Sequence, residues 1–289
     1  MKKILITGCS SGFGYDSAKY LAEKGHHVYA SMRNTKGKNL EAANKLGAFA
    51  SEMNVKLEVI DLDVLSDDSV NSAVSKIDTI DVLINNAGVG FGGPMEAFSS
   101  DAFLSQLDLN IVGTLRTSKA VLPGMRANKS GLIIQVSSTA GRAAFPGFGV
   151  YNASKWGLEG MSEALRYELG PLGIDVVLVE PGPFATDFFN NIIVAEEEEV
   201  AAAYEHVGAF QQGFGQQVMD MYADENAPTD PMVIVKIFED LINTPAGKRP
   251  IRTIGGLDFG YQALNDATEP IRKLGLGGMG IAEWDGPKA

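Results

Sequence analysis

Tyr151 and Lys155 stand four residues apart in the stretch Tyr151-Asn152-Ala153-Ser154-Lys155, and Ser138 lies 13 residues before Tyr151. Residues at this spacing share one face of a helix, so a phenol and an ammonium would open into the same small site. A phenol ionises near pH 10 and exchanges protons usefully at neutrality only when its anion is stabilised. At about 4 Å and an effective dielectric of about 20, the ammonium contributes roughly 4 kcal/mol of attraction, or about 3 pKa units. The pattern therefore predicts a phenol lowered toward working pH. A Tyr and a Lys also meet at this spacing in ordinary helices, so other stretches must decide.

The elements that would position this pair begin at the N-terminus. Thr7-Gly8-Cys9-Ser10-Ser11-Gly12-Phe13-Gly14 sets three glycines between the strand-like run Lys2 to Gly8 and a helical pattern of Tyr15, Ala18, Leu21 and Ala22. Glycines there let the backbone approach a diphosphate, whose charge meets the amides and positive end of the helix. The second strand, His27 to Met32, exits without the acidic residue that holds the ribose of NAD. Arg33 stands there instead, with Lys36 and Lys38 nearby, and can pair a 2′-phosphate, which favours NADP(H) over NAD(H). Asp63 ends a third strand over Lys56 to Val64, where it could accept from an adenine amino group or cap the helix that starts at Ser66.

Further strands are expected at Asp81 to Asn85, Leu132 to Val136, Ile174 to Glu180 and Arg249 to Ile254. Helices alternate with them: Leu40 to Leu46, a long one from Ser99 to about Met125, one from Tyr151 to Leu169, and one from Pro228 to about Leu241. Continuous Ile, Leu and Val in strands that alternate with helices indicate an α/β fold, a doubly wound parallel sheet of Rossmann type, covered on both faces. The expected organisation is one domain over 1–289, with a helical substrate lid at 184–228 and a loose Gly-rich tail at 270–289.

Composition narrows the partners. With 45% apolar and 21% charged residues, the chain can bury a large core and has no disordered or fibrous character. Cys9 is the single cysteine, so no internal disulfide forms and a cytoplasmic location is the simpler expectation. A net charge of −12 argues against nucleic acid and anionic lipid as partners. No apolar run reaches the length of a membrane span, and the apolar run within Met1 to Cys9 is too short for an export segment. His26, His27 and His206 match no metal-ligand spacing, so no metal is expected.

Taken in order, Thr7-Gly8-x-x-x-Gly12-x-Gly14, Asp63-Val64, Asn85-Asn86-Ala87-Gly88, Asn110, Ser138, Tyr151-x-x-x-Lys155 and Pro181-Gly182-x-x-x-Thr186 resemble the short-chain dehydrogenases/reductases over Lys2 to about Thr186. Ala30-Ser31-Met32-Arg33, Gly92-Gly93-Pro94-Met95-Glu96 and Pro181-Gly182-Pro183-Phe184 are similar to the hydroxysteroid and retinol dehydrogenase branch. The resemblance implies that Tyr151 is the general acid/base and that Ser138 donates to the same substrate oxygen. It also implies that Lys155 lowers the phenol and binds the nicotinamide ribose, and that Asn110 holds a water linking Lys155 to solvent. Gly8, Ser10, Ser11, Gly12, Phe13, Gly14, Asp63, Val64, Asn86, Ala87, Gly88, Pro181, Gly182 and Thr186 would line the cofactor, Thr186 bonding its carboxamide or merely capping the lid. Assembly into a homo-oligomer through the helices of Phe103 and Trp156 is part of the same resemblance and is checked by light scattering.

Phe91, Phe145, Phe148, Phe184, Phe188 and Phe189 fall in loops after the strands, where ligands of such folds bind. The expected substrate is therefore a lipophilic ketone or secondary alcohol. The rival reading is a sensor or scaffold that binds NADP(H) without turnover, against which the intact Ser138, Tyr151 and Lys155 speak. A third is an epimerase or dehydratase that retains its cofactor.

Overall fold

Alternating apolar strands and amphipathic helices build the chain in a computed structural model that describes residues 1–224 and 226–288. Glu225, within the expected lid, and Ala289, at the end of the expected tail, lie outside the described residues. The order is β1 (Lys3–Ile6), α1 (Gly12–Glu23), β2 (His27–Met32), α2 (Leu40–Met53), β3 (Leu57–Asp61), α3 (Asp67–Val74), β4 (Val82–Asn85), β5 (Phe91–Gly92), α4 (Ser100–Leu107) and α5 (Gly113–Asn128). It continues through β6 (Gly131–Val136), α6 (Gly149–Leu169), β7 (Ile174–Pro181), β8 (Ile193–Val194), α7 (Glu198–Ala202), α8 (Glu205–Ala223), α9 (Met232–Asn243), β9 (Arg252–Gly255) and α10 (Tyr261–Gly278).

Seven strands form one sheet in the order β3-β2-β1-β4-β6-β7-β9, and every pairing is parallel. This is the doubly wound arrangement that the strand-helix alternation predicts. Successive side chains of a strand point to opposite faces, and both faces are apolar here. Ile4, Ile6, Ile84, Ile134 and Val179 pack with Leu21 of α1 and Phe238 of α9. Leu5, Leu83, Ile133 and Val176 pack on the other side with Val121 and Met125 of α5 and Leu169 of α6. Because the crossover helices cover both faces, the strands need unbroken apolar runs. The strand order reverses between β1 and β4, and the loops at the carboxyl ends of the strands on either side of that point converge on one cavity.

The expected helical lid contains α8, a 19-residue helix that takes in its Gln/Gly-rich part. Two expectations change. The single long helix from Ser99 is two helices joined by a π turn over Asp108–Val112, with Ser99 capping the first through the Ala102 amide. The tail is not loose. Gly275, Gly277 and Gly278 continue α10, which also accommodates Pro270, and Asp285 beyond it accepts from Arg166 Nε and Arg272 Nη2, both at 2.6 Å. Arg166 is 119 residues away in sequence, so the composition of the tail could not reveal it. Among the described residues, no helix is long and apolar enough to cross a membrane.

Candidate active site

Each site residue is delivered by the end of a strand or the first turns of a helix. Gly8 has φ +74°, and a Cβ there would lie 2.8 Å from Ala87 Cα. A Cβ on Gly14 would lie 2.5 Å from Gly8 O, so no larger residue fits either position. Asn86 holds this turn from the neighbouring strand, its Nδ2 donating to Thr7 O at 2.9 Å and Gly8 O at 3.2 Å. The Thr7 hydroxyl accepts from the amides of Asn86 and Ala87, both at 3.0 Å. Ser11 precedes α1 without a side-chain cap, which leaves the first amides of that helix for an anion.

A cavity of about 780 Å³ runs from this turn to the C-terminal half of the sheet. Ser10, Ser11, Gly12, Phe13, Arg33, Asp63, Val64, Asn86, Ala87, Gly88, Ser138, Tyr151, Lys155, Pro181, Gly182 and Thr186 all line it. Gly8 lines it too; Gly14 and Asn110 do not, and act from behind the wall. Arg33 is exposed at its rim with Lys38, and its carbonyl accepts from Asn39 Nδ2 at 2.7 Å. Asp61, the nearest strand-end carboxylate, is already bonded to Thr35 and Asn34. These residues fit a nicotinamide dinucleotide, and a 2′-phosphate would meet cations at that rim. Asp63 lines the cavity but does not cap α3: its Oδ1 accepts from the Leu65 amide at 3.0 Å in the turn before the helix, and Ser66 is the cap, accepting from Ser69 N.

The chemistry-bearing wall is formed by β6 and α6. Ser138 leaves β6 in extended conformation, with its hydroxyl accepting from Ala140 N at 3.1 Å. Tyr151 and Lys155 lie one turn apart and both are buried. The Lys155 ammonium donates to Val136 O at 2.8 Å and sits 5.8 Å from the centroid of the Tyr151 ring. The electrostatics differ from the sequence expectation. Burial pushes the Tyr151 phenol up to about 12, against a smaller downward pull from Ser138. Burial likewise brings Lys155 down to about 8, opposed by the Glu159 charge. Burial, which disfavours the charged form of each group, thus sets both directions, and the phenol carries its proton at neutral pH.

Asn110 occupies the π turn between α4 and α5, a device that re-aims side chains at functional positions. Its Nδ2 donates to Val89 O at 3.1 Å and Ser154 Oγ at 2.9 Å, and its Oδ1 accepts from Val89 N at 3.3 Å. A Cβ added to Gly88 would be 3.2 Å from Asn110 Oδ1 and 3.9 Å from Lys155 Nζ, so the amide and the ammonium face the same small space. Thr186 lies over Gly12, and its hydroxyl accepts from Phe188 N at 3.4 Å.

The aromatic residues divide. Phe145, Phe148 and Phe188 line the open half of the cavity, with Phe188 5.5 Å from Tyr151, centroid to centroid. Phe91 lines it while buried against Phe98. Phe184 touches the cavity but belongs to the core, edge-on to Phe13 at 5.2 Å. It therefore lines the cavity from the core side, against the nucleotide turn. Sequence reasoning missed Phe214 of α8, which contacts Phe145, Phe148, Phe189 and Phe210. It stands inside the Gln/Gly-rich stretch read as lid, where its polar neighbours gave no sign of a pocket residue. Asn152 was missed as well. It staples the loop between Ser138 and Tyr151, donating to Ala140 O at 3.0 Å and Ala143 O at 2.9 Å and accepting from Phe145 N at 3.1 Å.

Known proteins share this arrangement. The family model described as short chain dehydrogenase matches residues 2–197. The chain is 41% identical over 197 residues to 3-ketodihydrosphingosine reductase of Bacteroides thetaiotaomicron, covering 67% of this chain and 68% of that protein. It is 35% identical over 249 residues to 17-beta-hydroxysteroid dehydrogenase type 1 of Homo sapiens, covering 84% and 74%. A short-chain dehydrogenase from Streptomyces avermitilis superposes with a TM-score of 0.74 at 29% identity, over 96% of this chain and 99% of that one. The closed form of a serine dehydrogenase complexed with NADP+ superposes with a TM-score of 0.72 at 25% identity, over 88% and 94%. A parallel seven-stranded sheet, a glycine turn clamped by Asn86, and Ser138, Tyr151 and Lys155 on one cavity wall agree with these matches: the chain belongs to the short-chain dehydrogenase family.

Proposed function

We propose that the protein is an NADP(H)-dependent oxidoreductase that interconverts a lipophilic ketone and its secondary alcohol. The observation that carries this is one cavity whose walls hold the glycine turn, the Ser138, Tyr151 and Lys155 side chains, and a cluster of phenylalanines. The cofactor, when bound, supplies or accepts the hydride; the chain manages the substrate oxygen and its proton. Tyr151, a neutral phenol at pH 7, is suited to donate its proton to an oxygen gaining negative charge. Ser138 offers a second donor to that oxygen, and two convergent donors stabilise the charge as it develops. Lys155 and Asn110 face a shared space behind the phenol, through which a proton can be replaced.

The names of the matched relatives support the substrate class, since one reduces a keto-sphingoid base and another acts on hydroxysteroids. Solved neighbours carrying NADP+ or NADPH support the cofactor. Turnover of NADPH and NADH against a panel of linear and polycyclic ketones tests the reading, and no oxidation with any of them would leave a cofactor-binding sensor. Arg33→Ala should weaken NADPH binding about 10- to 100-fold and leave NADH nearly unaffected, since a charged hydrogen bond contributes about 1.5–3 kcal/mol. Equal losses for the two nucleotides would reject Arg33 as the selector. Phe214→Ala should raise KM about tenfold for bulky apolar ketones by removing apolar contact worth about 1.5–3 kcal/mol, with little change for a small ketone. An equal effect on both would place Phe214 outside substrate recognition.

A further inference from the structure

Behind the Tyr151 wall lies a buried polar cluster that the reaction above does not use. Glu180, the residue before the last of β7, is fully buried, Glu159 of α6 is one turn beyond Lys155, and Arg252 of β9 joins them. Arg252 Nε lies 2.8 Å from Glu159 Oε2 and 3.5 Å from Glu180 Oε1, and its Nη2 donates to Glu163 Oε2 at 2.7 Å. Arg142, in the turn after β6, is 3.9 Å from Glu180 Oε1 and donates to Thr268 of α10. Three carboxylates thus face two guanidinium groups, with the Lys155 ammonium turned away to Val136 O. Asn265 of α10 donates its Nδ2 to Glu180 Oε2 at 2.6 Å. The other oxygen of each partner, Glu180 Oε1 and Asn265 Oδ1, is buried without a hydrogen bond.

We propose that Glu180 is a neutral carboxylic acid that donates to Asn265 Oδ1, closing a two-bond acid-amide ring, and that this ring is a positioning device for the nucleotide loop Pro181-Gly182. One proton satisfies both orphaned oxygens and balances the charge of the cluster. The ring ties α10 to the end of β7, one residue before Pro181. Gly182 N donates to Gly255 O at 3.0 Å, so the loop also hangs on β9, the strand that carries Arg252. Without the proton, both oxygens stay buried and unbonded, and three carboxylates face two guanidinium groups. The electrostatics agree: burial, then the Glu159 charge, push Glu180 up to about 8, against Asn265, Arg252 and Arg142. A carboxyl raised on folding contributes stability that is whole below the usual carboxylate range and is lost as pH rises through about 8.

The proposal rests on reading the cavity as a nucleotide site, and the test separates the two. NADPH dissociation constants, followed by fluorescence, and melting temperatures without nucleotide are measured from about pH 5 to 9.5 for wild type, Glu180→Gln and Glu180→Ala. Gln can form the same ring with Asn265 and has no proton to lose. Wild-type affinity should weaken by up to about tenfold per pH unit above about 8, and Glu180→Gln should remove this component. Titration of Lys155 is common to both proteins and cancels in the comparison. The melting temperature of Glu180→Gln relative to wild type should climb between about pH 5 and 8 and then level, while Glu180→Ala weakens NADPH binding at every pH. Parallel pH profiles for wild type and Glu180→Gln would overturn the neutral acid, as would Glu180→Gln being as impaired as Glu180→Ala. If NADPH binds wild type at no pH, the nucleotide reading and the positioning role fall together, and the melting profiles still judge the ring by themselves.

Discussion

Tyr151→Phe should lower kcat for ketone reduction by about 10²- to 10⁴-fold, equivalent to roughly 3–5 kcal/mol in the barrier. The change deletes one oxygen from a side chain that is 8% exposed and packed 5.5 Å from Phe188, so the ring and its neighbours keep their places. The melting temperature should therefore stay close to wild type, and the loss should appear in kcat and not in the KM for NADPH. The direction of catalysis matters. With the phenol pushed up to about 12 by burial, it carries its proton across the physiological range, and reduction should be insensitive to its ionisation there. Alcohol oxidation needs the phenolate and should instead accelerate as pH rises, until Lys155 loses its charge near about 8 and the anion loses its neighbour. Reduction by the Phe variant at more than a tenth of the wild-type rate would remove Tyr151 from the mechanism.

Asp175→Ala should destabilise the fold by about 3–5 kcal/mol, the cost of breaking a buried pair from one side. Asp175 sits on β7 with no exposure, accepting from Arg166 Nη1 at 2.7 Å and Arg249 Nη1 at 3.1 Å. Both guanidinium groups are nearly buried, and Arg166 also holds Asp285 at 2.6 Å. Removing Asp175 takes away the carboxylate that pairs with Arg249 and leaves Arg166 with Asp285, so the segment beyond α10 loses the footing of its anchor. Urea unfolding reads the effect as a lower midpoint. Asp175→Asn, which keeps an acceptor and removes only the charge, should cost less than Asp175→Ala. A loss under about 1 kcal/mol for the Ala variant would show that the two arginines find water or other partners.

The readable parts of this protein were those in which local chemistry and fold demand the same residue. Gly8 and Gly14 announce the nucleotide turn because a Cβ at either would strike the backbone within 3 Å, and no distant contact is needed to see why. The strands were legible because a sheet covered on both faces requires unbroken Ile, Leu and Val. Ser138, Tyr151 and Lys155 were picked out by their spacing together with the family resemblance of the surrounding motifs, and the structure brings them to one wall. Helix ends were legible where a side chain caps them, as Ser66 and Ser99 do.

Tertiary structure decided what depends on surroundings rather than on identity. A Tyr and a Lys one turn apart fix a distance, but whether the phenol falls or rises depends on how much water the rest of the fold removes, and here removal of water wins. Phe184 and Phe214 are the same residue type and both line the cavity, yet only Phe184 is also part of the core, because the path of the chain decides what packs behind each ring. The tail looked loose because its partners, Arg166 and Tyr167, are more than a hundred residues away. Sequence determines by itself what is written in neighbouring residues, the turn, the strand pattern and the reactive types. Burial, pKa and docking are sums over atoms that only folding brings together.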